Sequence, residues 1–418
     1  MQPGKKLVIG LFGFGVVGEG LYQVIHQHHS LEISIKRVCI KHPEKSRNAP
    51  VSLFTADKWE LLNDEEINVI VELTNDPEAA YEIVQAAFEK GKAVVSANKA
   101  MIAAHLEILI RLQRKSNLPF LYEAAACASI PVIRNLEEYY DNDLLQGISG
   151  VVNGSTNYML TKMSEEELDF RSALKRAQSE GFAESDPTLD INGSDAANKL
   201  SILLTHGYGL IVPPDELLYA GIQNIRQQDA IYAREKGMEI KLVAHACKTS
   251  DERIAAFILP QFVRAHHLLY HVKNEYNGVI IESSLADQQF FYGKGAGAFP
   301  TASAVLSDLS ALRYNYKYEY KKLRQSPGVE ATREFLLRVY VSFEKLFQVP
   351  HDAFEQIWEW GSNEERCHVI GVIRGSVLKQ SDWWRKDNTS LILLPEPFAI
   401  NEQAIHKHRS EMLSGIFI

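Results

Sequence analysis

The stretch Lys6–Leu21, KLVIGLFGFGVVGEGL, decides the architecture of the first third of the chain. Its first half is an apolar run of strand length. Its second half places glycines at 13, 15 and 18, the G-x-G-x-x-G spacing, where strand gives way to helical pattern. Each glycine has a task there: Gly13 permits a tight turn, Gly15 lets a pyrophosphate approach the backbone, and Gly18 lets the helix lie close on the strand. The helix start then offers unpaired N–H groups to phosphate oxygens. A preceding strand and a following helix favour a dinucleotide-binding fingerprint over a merely structural glycine turn.

Outward from it, ISIKRVCI, NVIVELT, AVVSANK and PFLYEAA are further strand-length runs, separated by helical patterns such as GVVGEGLYQVIHQHH and DPEAAYEIVQAAFEKGK. That alternation describes a parallel sheet built from βαβ units. In the second of these helices Asp76 stands at the cap, Pro77 at the first helical position and Gly91 beyond the end. The expected fold class is α/β: a Rossmann-like doubly wound parallel sheet over residues 1–135, completed by a returning helix near 300–312. The acid expected about 20 residues past the glycines, which would grip the ribose hydroxyls, is missing. The second strand ends instead in Ile40-Lys41-His42-Pro43, followed by Lys45 and Arg47. These cations either receive the 2′-phosphate of NADP or form a solvated basic loop, so the cofactor reads as NAD(P).

Residues 136–300 change character and are expected to form an inserted α+β catalytic and dimerisation domain. LLQGISGVVNGSTNYML leads to an acidic segment, an apolar helix LSILLTHGYGL, and the strands RIAAFILPQFV and NGVIIESS. Alternation in the strands leaves one sheet face for solvent or a second subunit. FYGKGAGAFPTASAVLSDLSAL follows, with a loop at Gly293–Gly297 and a helix over Ala302–Leu312. Over 325–418, REFLLRVYVSF, ERCHVIGVIRGSVL and SLILLP read as strands and PHDAFEQIWEWG as a helix: a small C-terminal α+β tail, ACT-like or an oligomerisation module.

Composition excludes several classes. The 418 residues carry a net charge of -9 with 46% apolar content, and no basic run marks a nucleic-acid partner or an acidic membrane surface. Cys39, Cys127, Cys247 and Cys367 form no CxxC pair, which fits a reducing cytoplasm. No stretch has the length and apolarity of a membrane span, and His266-His267 lacks zinc-ligand spacing.

FGFGVVGEGL, SANKAMIA, YEAAACASIP, NGSTNYML, GFAESDPTLDINGSDAANK and GAGAFPTASAV occur in the order of homoserine dehydrogenase, which the chain resembles from about residue 7 to 312. The most specific element is E-x-D-P-x-x-D-x-x-G-x-D-x-x-x-K, running from Glu184 to Lys199. The resemblance implies interconversion of L-homoserine and L-aspartate 4-semialdehyde by hydride transfer with NAD(P), in threonine and methionine biosynthesis, by a homodimer or higher homo-oligomer. It places Gly13, Gly15, Val16, Val17, Gly18, Thr74, Lys99 and Gly297 at the cofactor, and Ser155, Gly181, Glu184, Asp190 and Asp195 at the substrate. Lys199 and Lys99 become the catalytic lysines, with the proton carried by one of the two and Lys199 preferred. It also implies a sodium or potassium ion held by Glu123 and the carbonyls of Ala126, Ala128 and Ile130. The chain departs from the family pattern at Thr74-Asn75, where a glycine pair is usual, at Ala126-Cys127-Ala128-Ser129, where a Gly-rich turn is common, and at Ser155, where threonine is commoner.

The chemistry asks for such residues. A substrate amino acid needs an anion for its ammonium and a base for its hydroxyl; Glu184 and Asp195 supply carboxylates. Lys199 follows Asp195 by four residues, one helical turn, and a lysine desolvated at the mouth of an apolar helix can carry a proton. Lys99 follows a parallel strand, at the end where such sheets bind ligands. Spacing alone favours a plainer reading: Asp195 and Lys199 as an exposed ion pair, Lys99 as a solvated lysine, Asp186-Pro187 and Asn192-Gly193 as turns. Two rival functions exist, a thioester-forming aldehyde dehydrogenase using Cys127 and a non-catalytic dinucleotide sensor.

Overall fold

The structure is a computed structural model that describes residues 5–27, 32–142, 144–325, 328–344, 349–362 and 367–398. His28-His29 of the first helix pattern, residues 345–348 and 363–366, and the end of the tail from 399 fall outside the described residues. The elements begin β1 (Leu7–Phe12), α1 (Val16–Gln27), β2 (Ile33–Cys39), β3 (Phe54–Thr55), α2 (Trp59–Leu62), β4 (Val69–Glu72), α3 (Pro77–Glu89), β5 (Ala93–Ser96), α4 (Lys99–Ser116), β6 (Phe120–Leu121), α5 (Ala124–Cys127) and α6 (Val132–Glu138). They continue with β7 (Leu145–Val151), α7 (Gly154–Glu165), α8 (Phe170–Ser179), α9 (Thr188–Ile191), α10 (Ser194–Tyr208), β8 (Leu218–Tyr219), α11 (Gln227–Glu235), β9 (Met238–Lys248), β10 (Ile254–Arg264), β11 (Tyr276–Ser283), β12 (Asp287–Lys294) and α12 (Ala298–Leu312). The tail holds β13 (Ala331–Thr332), β14 (Leu336–Phe343), β15 (Gln356–Ser362), β16 (Cys367–Arg374), α13 (Gly375–Gln380) and β17 (Thr389–Phe398).

The chain divides into two compact units. The first takes residues 1–143, 198–214 and 293–328, the second 144–197, 215–292 and 329–418. In the first, a six-stranded sheet runs β3-β2-β1-β4-β5-β6 with every pair parallel. The order reverses between β1 and β4, the topological switch point where dinucleotides bind. Leu7, Ile9 and Leu11 of β1 are buried, as is all of β4, because helices cover both faces. Asp76 caps α3 as its sequence predicts, accepting from Ala79 N at 3.2 Å. The returning helix α12 packs on α1, and the contact is close: a Cβ on Gly20 would lie 3.1 Å from the Ala298 carbonyl oxygen.

The second unit is built on an eleven-stranded sheet whose main path is β12-β11-β7-β9-β10-β17-β14-β16-β15. Its centre is the antiparallel pair β9 and β10, in register from Ile254 opposite Lys248 to Arg264 opposite Met238. The tail joins this sheet through β17, which meets β10 at Gln261 and Leu393, so its strands extend the sheet instead of folding as a unit of their own. Phe257, Leu259, Val339, Val341, Leu391 and Leu393 share one buried cluster with Trp383 and Trp384. PHDAFEQIWEWG is not a helix: a single 3-10 turn at His351–Ala353 precedes β15. Ile357, Trp358 and Trp360 are residues that favour a pleated strand, and pairing with β16 gives their backbone the bonds a helix would have supplied.

Candidate active site

The first unit supplies a dinucleotide cradle. Gly13 has φ +89°, and a Cβ there would stand 2.6 Å from the Leu73 carbonyl oxygen. A Cβ on Gly18 would meet the Gly13 carbonyl oxygen at 2.4 Å, so the helix sits on the turn only because both residues are glycine. Gly15 has nothing within 4 Å of the corresponding position. Next to it Val16 is 70% exposed and Val17 half-buried, leaving the N-terminal turn of α1 uncovered beside this open approach. These are the three roles expected from the motif.

A residue that pattern reading passed over organises the opposite side of the switch point. Glu72 ends β4, is fully buried, and accepts from Thr74 N, Thr74 Oγ1 and Ser96 Oγ, each at 2.6 Å. Burial raises its pKa against the pull of those donors. Asn98 continues the network, donating to the Thr74 carbonyl at 3.1 Å and capping α4 through Met101 N at 3.0 Å. Lys99 is the first residue of that helix and is half-buried, so Glu72 fixes both Thr74 and the turn that presents Lys99. The signal in the sequence was an acid closing the apolar run NVIVE.

Past β2 the chain carries no acid at the ribose position. Arg47 donates to the carbonyls of Lys45 at 2.6 Å and His42 at 2.7 Å, which shapes the loop, while Glu44 faces His42 at 3.2 Å. Lys41 and Lys45 are exposed there. Gly297, at φ +116°, is the exposed N-cap of α12.

In the second unit the acidic segment closes on one carboxamide. Asn153 Nδ2 donates to Asp190 Oδ1 at 2.7 Å and to Asp195 Oδ2 at 2.9 Å. Its Oδ1 accepts from Thr156 N at 2.8 Å, capping α7, so the helix start aims the donor pair. Asn153 is 5% exposed and Asp195 4% exposed, which makes the two bonds of the strong, charge-assisted kind. Ser155 instead donates to the Phe182 carbonyl at 2.6 Å and tethers the segment's start. Gly181, at φ +80°, and Glu184 are exposed, so Glu184 does not join half-buried Asp190 and buried Asp195. Asp186 and Asn192 act as turn residues, accepting from Thr188 N at 3.1 Å and Ser194 N at 2.8 Å. Asp195 and Lys199 are not the exposed ion pair that spacing favours: both are buried on α10, Lys199 with 6% exposure. Asn153 escaped the sequence reading because its partners lie 37 and 42 residues away.

The turn at Glu123 is a buried oxygen-rich corner of the first unit. Glu123 Oε1 and Oε2 accept from Ile133 N at 2.9 Å and Arg134 N at 3.0 Å. Asp308, fully buried, accepts from Glu123 N at 2.9 Å and from Arg134 Nη2 at 2.7 Å. Burial and then the Asp308 charge push Glu123 up to about 8, and burial pushes Asp308 to about 6 despite Arg134. The Arg134 guanidinium thus binds Asp308, while Glu123 is held by two backbone N–H groups, so the corner buries two carboxyl groups beside one cationic side chain. Ala128 adopts φ +44° at this turn, and the Ile130 carbonyl already accepts from Val132 N at 2.9 Å. No group of three or more His, Cys, Asp or Glu among the described residues is arranged for a metal. Cys127, fully buried at the end of α5, is inaccessible as a nucleophile.

Comparison with known proteins decides between the rival readings. A family model described as homoserine dehydrogenase matches residues 131–310, and one for the homoserine dehydrogenase NAD-binding domain matches residues 13–123. The homoserine dehydrogenase of Bacillus subtilis is 31% identical over 394 residues, covering 84% of this chain and 90% of that protein.

The chain belongs to the homoserine dehydrogenase family.

The Helicobacter pylori member is 34% identical over 355 residues, covering 82% of this chain and 83% of its own length. Among solved structures, a homoserine dehydrogenase from Thiobacillus denitrificans superposes with a TM-score of 0.82 at 25% identity, covering 94% of this chain and 99% of that one. A hyperthermophilic archaeal homoserine dehydrogenase in complex with NADPH gives 0.65 at 27% identity over 75% of this chain and 99% of its own. Membership makes the chain an oxidoreductase acting on a CH–OH group and retires the thioester and sensor alternatives. Among the described residues no helix is long and apolar enough to cross a membrane.

Proposed function

We propose that the protein oxidises L-homoserine to L-aspartate 4-semialdehyde and catalyses the reverse reduction, in the cytoplasmic synthesis of threonine and methionine. A nicotinamide dinucleotide supplies the hydride acceptor or donor, held by Gly13, Gly15, Val16, Val17, Gly18, Thr74 and Gly297. In the oxidising direction Lys199 Nζ takes the proton of the substrate hydroxyl as its carbon gives up a hydride, leaving the aldehyde. Lys99 orients the reacting group from the start of α4. Asp190 and Asp195 bind the substrate ammonium, with Ser155, Gly181 and Glu184 shaping the segment around them. The observation that carries this reading is the buried Asn153 carboxamide that draws Asp190 and Asp195 together at the start of the helix bearing Lys199. It is tested by following reduced-nicotinamide absorbance with L-homoserine and either NAD or NADP.

With no acid at the end of β2 itself to grip the ribose hydroxyls, and with Lys41 and Lys45 exposed in the loop beyond it, the site accepts NADP as well as NAD. Glu123 and the carbonyls of Ala126, Ala128 and Ile130 hold a sodium or potassium ion. The protein works as a homodimer. The support is an open cleft of about 520 Å³ on the second unit's sheet, where apolar Ile148, Phe335 and Phe398 are flanked by charged Lys248, Glu282, Glu334 and Arg374, a mixed surface of the kind a second copy meets with complementary charges. Sedimentation equilibrium decides it.

A further inference from the structure

We propose that Glu72 sets the redox preference of the dinucleotide site: its buried negative charge favours the cationic, oxidised nicotinamide over the reduced one. This rests on the dinucleotide reading of the first unit. Glu72 ends β4 at the switch point of the parallel sheet, in register with Phe12 of β1. The residues after it close on the glycine turn: a Cβ on Gly13 would stand 2.6 Å from the Leu73 carbonyl oxygen and 3.2 Å from Thr74 N. Thr74 N is itself a donor to Glu72 at 2.6 Å, so the carboxylate lies just behind backbone that packs on the cradle.

The hydrogen bonds around Glu72 show that it is ionised. Thr74 N and Thr74 Oγ1 donate to Oε1, and Ser96 Oγ donates to Oε2. Ser96 Oγ in turn accepts from Asn98 N at 3.1 Å, so its own proton is the one it shares with Glu72. A protonated carboxyl would bring a second hydrogen into that bond and leave the Ser96 proton without an acceptor, and Ser96 is fully buried. Ionised, Glu72 satisfies every donor turned toward it, and these donors oppose the burial that raises its pKa. All three are neutral groups, so they hold the charge without cancelling it.

A nicotinamide ring is cationic when oxidised and neutral once it has taken a hydride. At an effective dielectric of about 20, two unit charges about 12 Å apart attract by the equivalent of about tenfold in affinity. Glu72 therefore tightens the binding of NADP more than that of NADPH. In the proposed reduction the aldehyde carbon gains a hydride from the reduced cofactor and its oxygen gains a proton from Lys199, leaving the alcohol and the oxidised cofactor. A fixed carboxylate that stabilises the oxidised form favours this direction.

Calorimetric titration of the full chain with NADP and with NADPH, in wild type and Glu72→Gln, tests the assignment. The amide keeps an oxygen for Thr74 N and Thr74 Oγ1 and donates to Ser96 Oγ, so the charge leaves and the network stays. The expected result is a ratio of Kd for NADP to Kd for NADPH about tenfold higher in Glu72→Gln than in wild type. Ser96→Ala breaks the same network but leaves the carboxylate, and its ratio stays within about twofold of wild type. Should Glu72→Gln fold poorly, the same change combined with Ser96→Ala, which removes the hydroxyl whose bond the amide must reverse, carries the comparison. A ratio that moves less than about twofold on loss of the charge overturns the proposal, as does an equal rise in Ser96→Ala alone. A wild-type chain that binds neither form overturns the dinucleotide reading itself, an outcome distinct from two affinities that change in parallel.

Discussion

Replacing Asn153 with aspartate is the most informative change in the acidic segment, because it separates two tasks of one side chain. The aspartate still accepts from Thr156 N, so the α7 cap, whose loss to alanine costs about 1 kcal/mol, is kept. What disappears is the donor pair to Asp190 and Asp195. A hydrogen bond to a charged group contributes about 1.5–3 kcal/mol, so the two together hold about 3–6 kcal/mol of local organisation, and a third carboxylate adds repulsion. If half of the lower figure is expressed in the transition state, kcat/KM falls by about tenfold; if all of it is, by more than about 100-fold. The expected result for Asn153→Asp is a loss of about 10–100-fold or more in kcat/KM for homoserine, dominated by KM, measured beside urea unfolding. Asn153→Ala should lose similar activity and a further ~1 kcal/mol of stability. An Asn153→Asp enzyme within about threefold of wild type in kcat/KM would refute the idea that this carboxamide sets the substrate carboxylates.

Other outcomes follow from the same geometry. Gly15→Val, at a position with open space around it, should keep the melting temperature and raise the KM for dinucleotide more than about tenfold, whereas Gly18→Val, facing a carbonyl oxygen at 2.4 Å, should cost about 1–3 kcal/mol of stability. Glu123, pushed up to about 8, and Asp308, pushed up to about 6, hold protons in the folded state that unfolded carboxylates near 4 have released. Their contribution is therefore complete below about pH 4 and lost as pH rises to about 8, so Glu123→Gln should flatten the fall in urea midpoint across that window. Potassium chloride should raise the melting temperature at about pH 8 above its value in choline chloride at equal ionic strength, since only the metal ion can enter the Glu123 corner; equal values would remove the cation. Lys45→Glu should raise the KM for NADP several-fold and leave that for NAD nearly unchanged, as read from initial rates.

How much of this was legible in sequence depended on how local the cause was. The glycine turn, the Asp76 cap and the Asp186-Pro187 and Asn192-Gly193 turns are settled by neighbours a few residues apart, and the structure forms each as its pattern predicts. The parallel sheet was legible because strands buried on both faces must be apolar throughout. Asn153 and Glu72 were hidden by their long-range partners: a carboxamide before a helix reads as a cap, and an acid after VIV reads as the strand's exit. The tail misled for a related reason. FEQIWEWG can satisfy a helical pattern, and only the neighbouring β16, supplied by residues further along, makes it a strand. Glu184 stands in the most specific motif of the chain yet on the surface, so motif membership did not report burial.

Lys199→Met offers the most direct measurement, because methionine fills much of the same buried space and removes only the group proposed to move the proton. The purified wild-type chain should generate reduced-nicotinamide absorbance from L-homoserine, and the variant should lose about 10²–10⁴-fold in kcat while binding dinucleotide as tightly as before. A variant that oxidises homoserine within about tenfold of the wild-type rate would contradict the account.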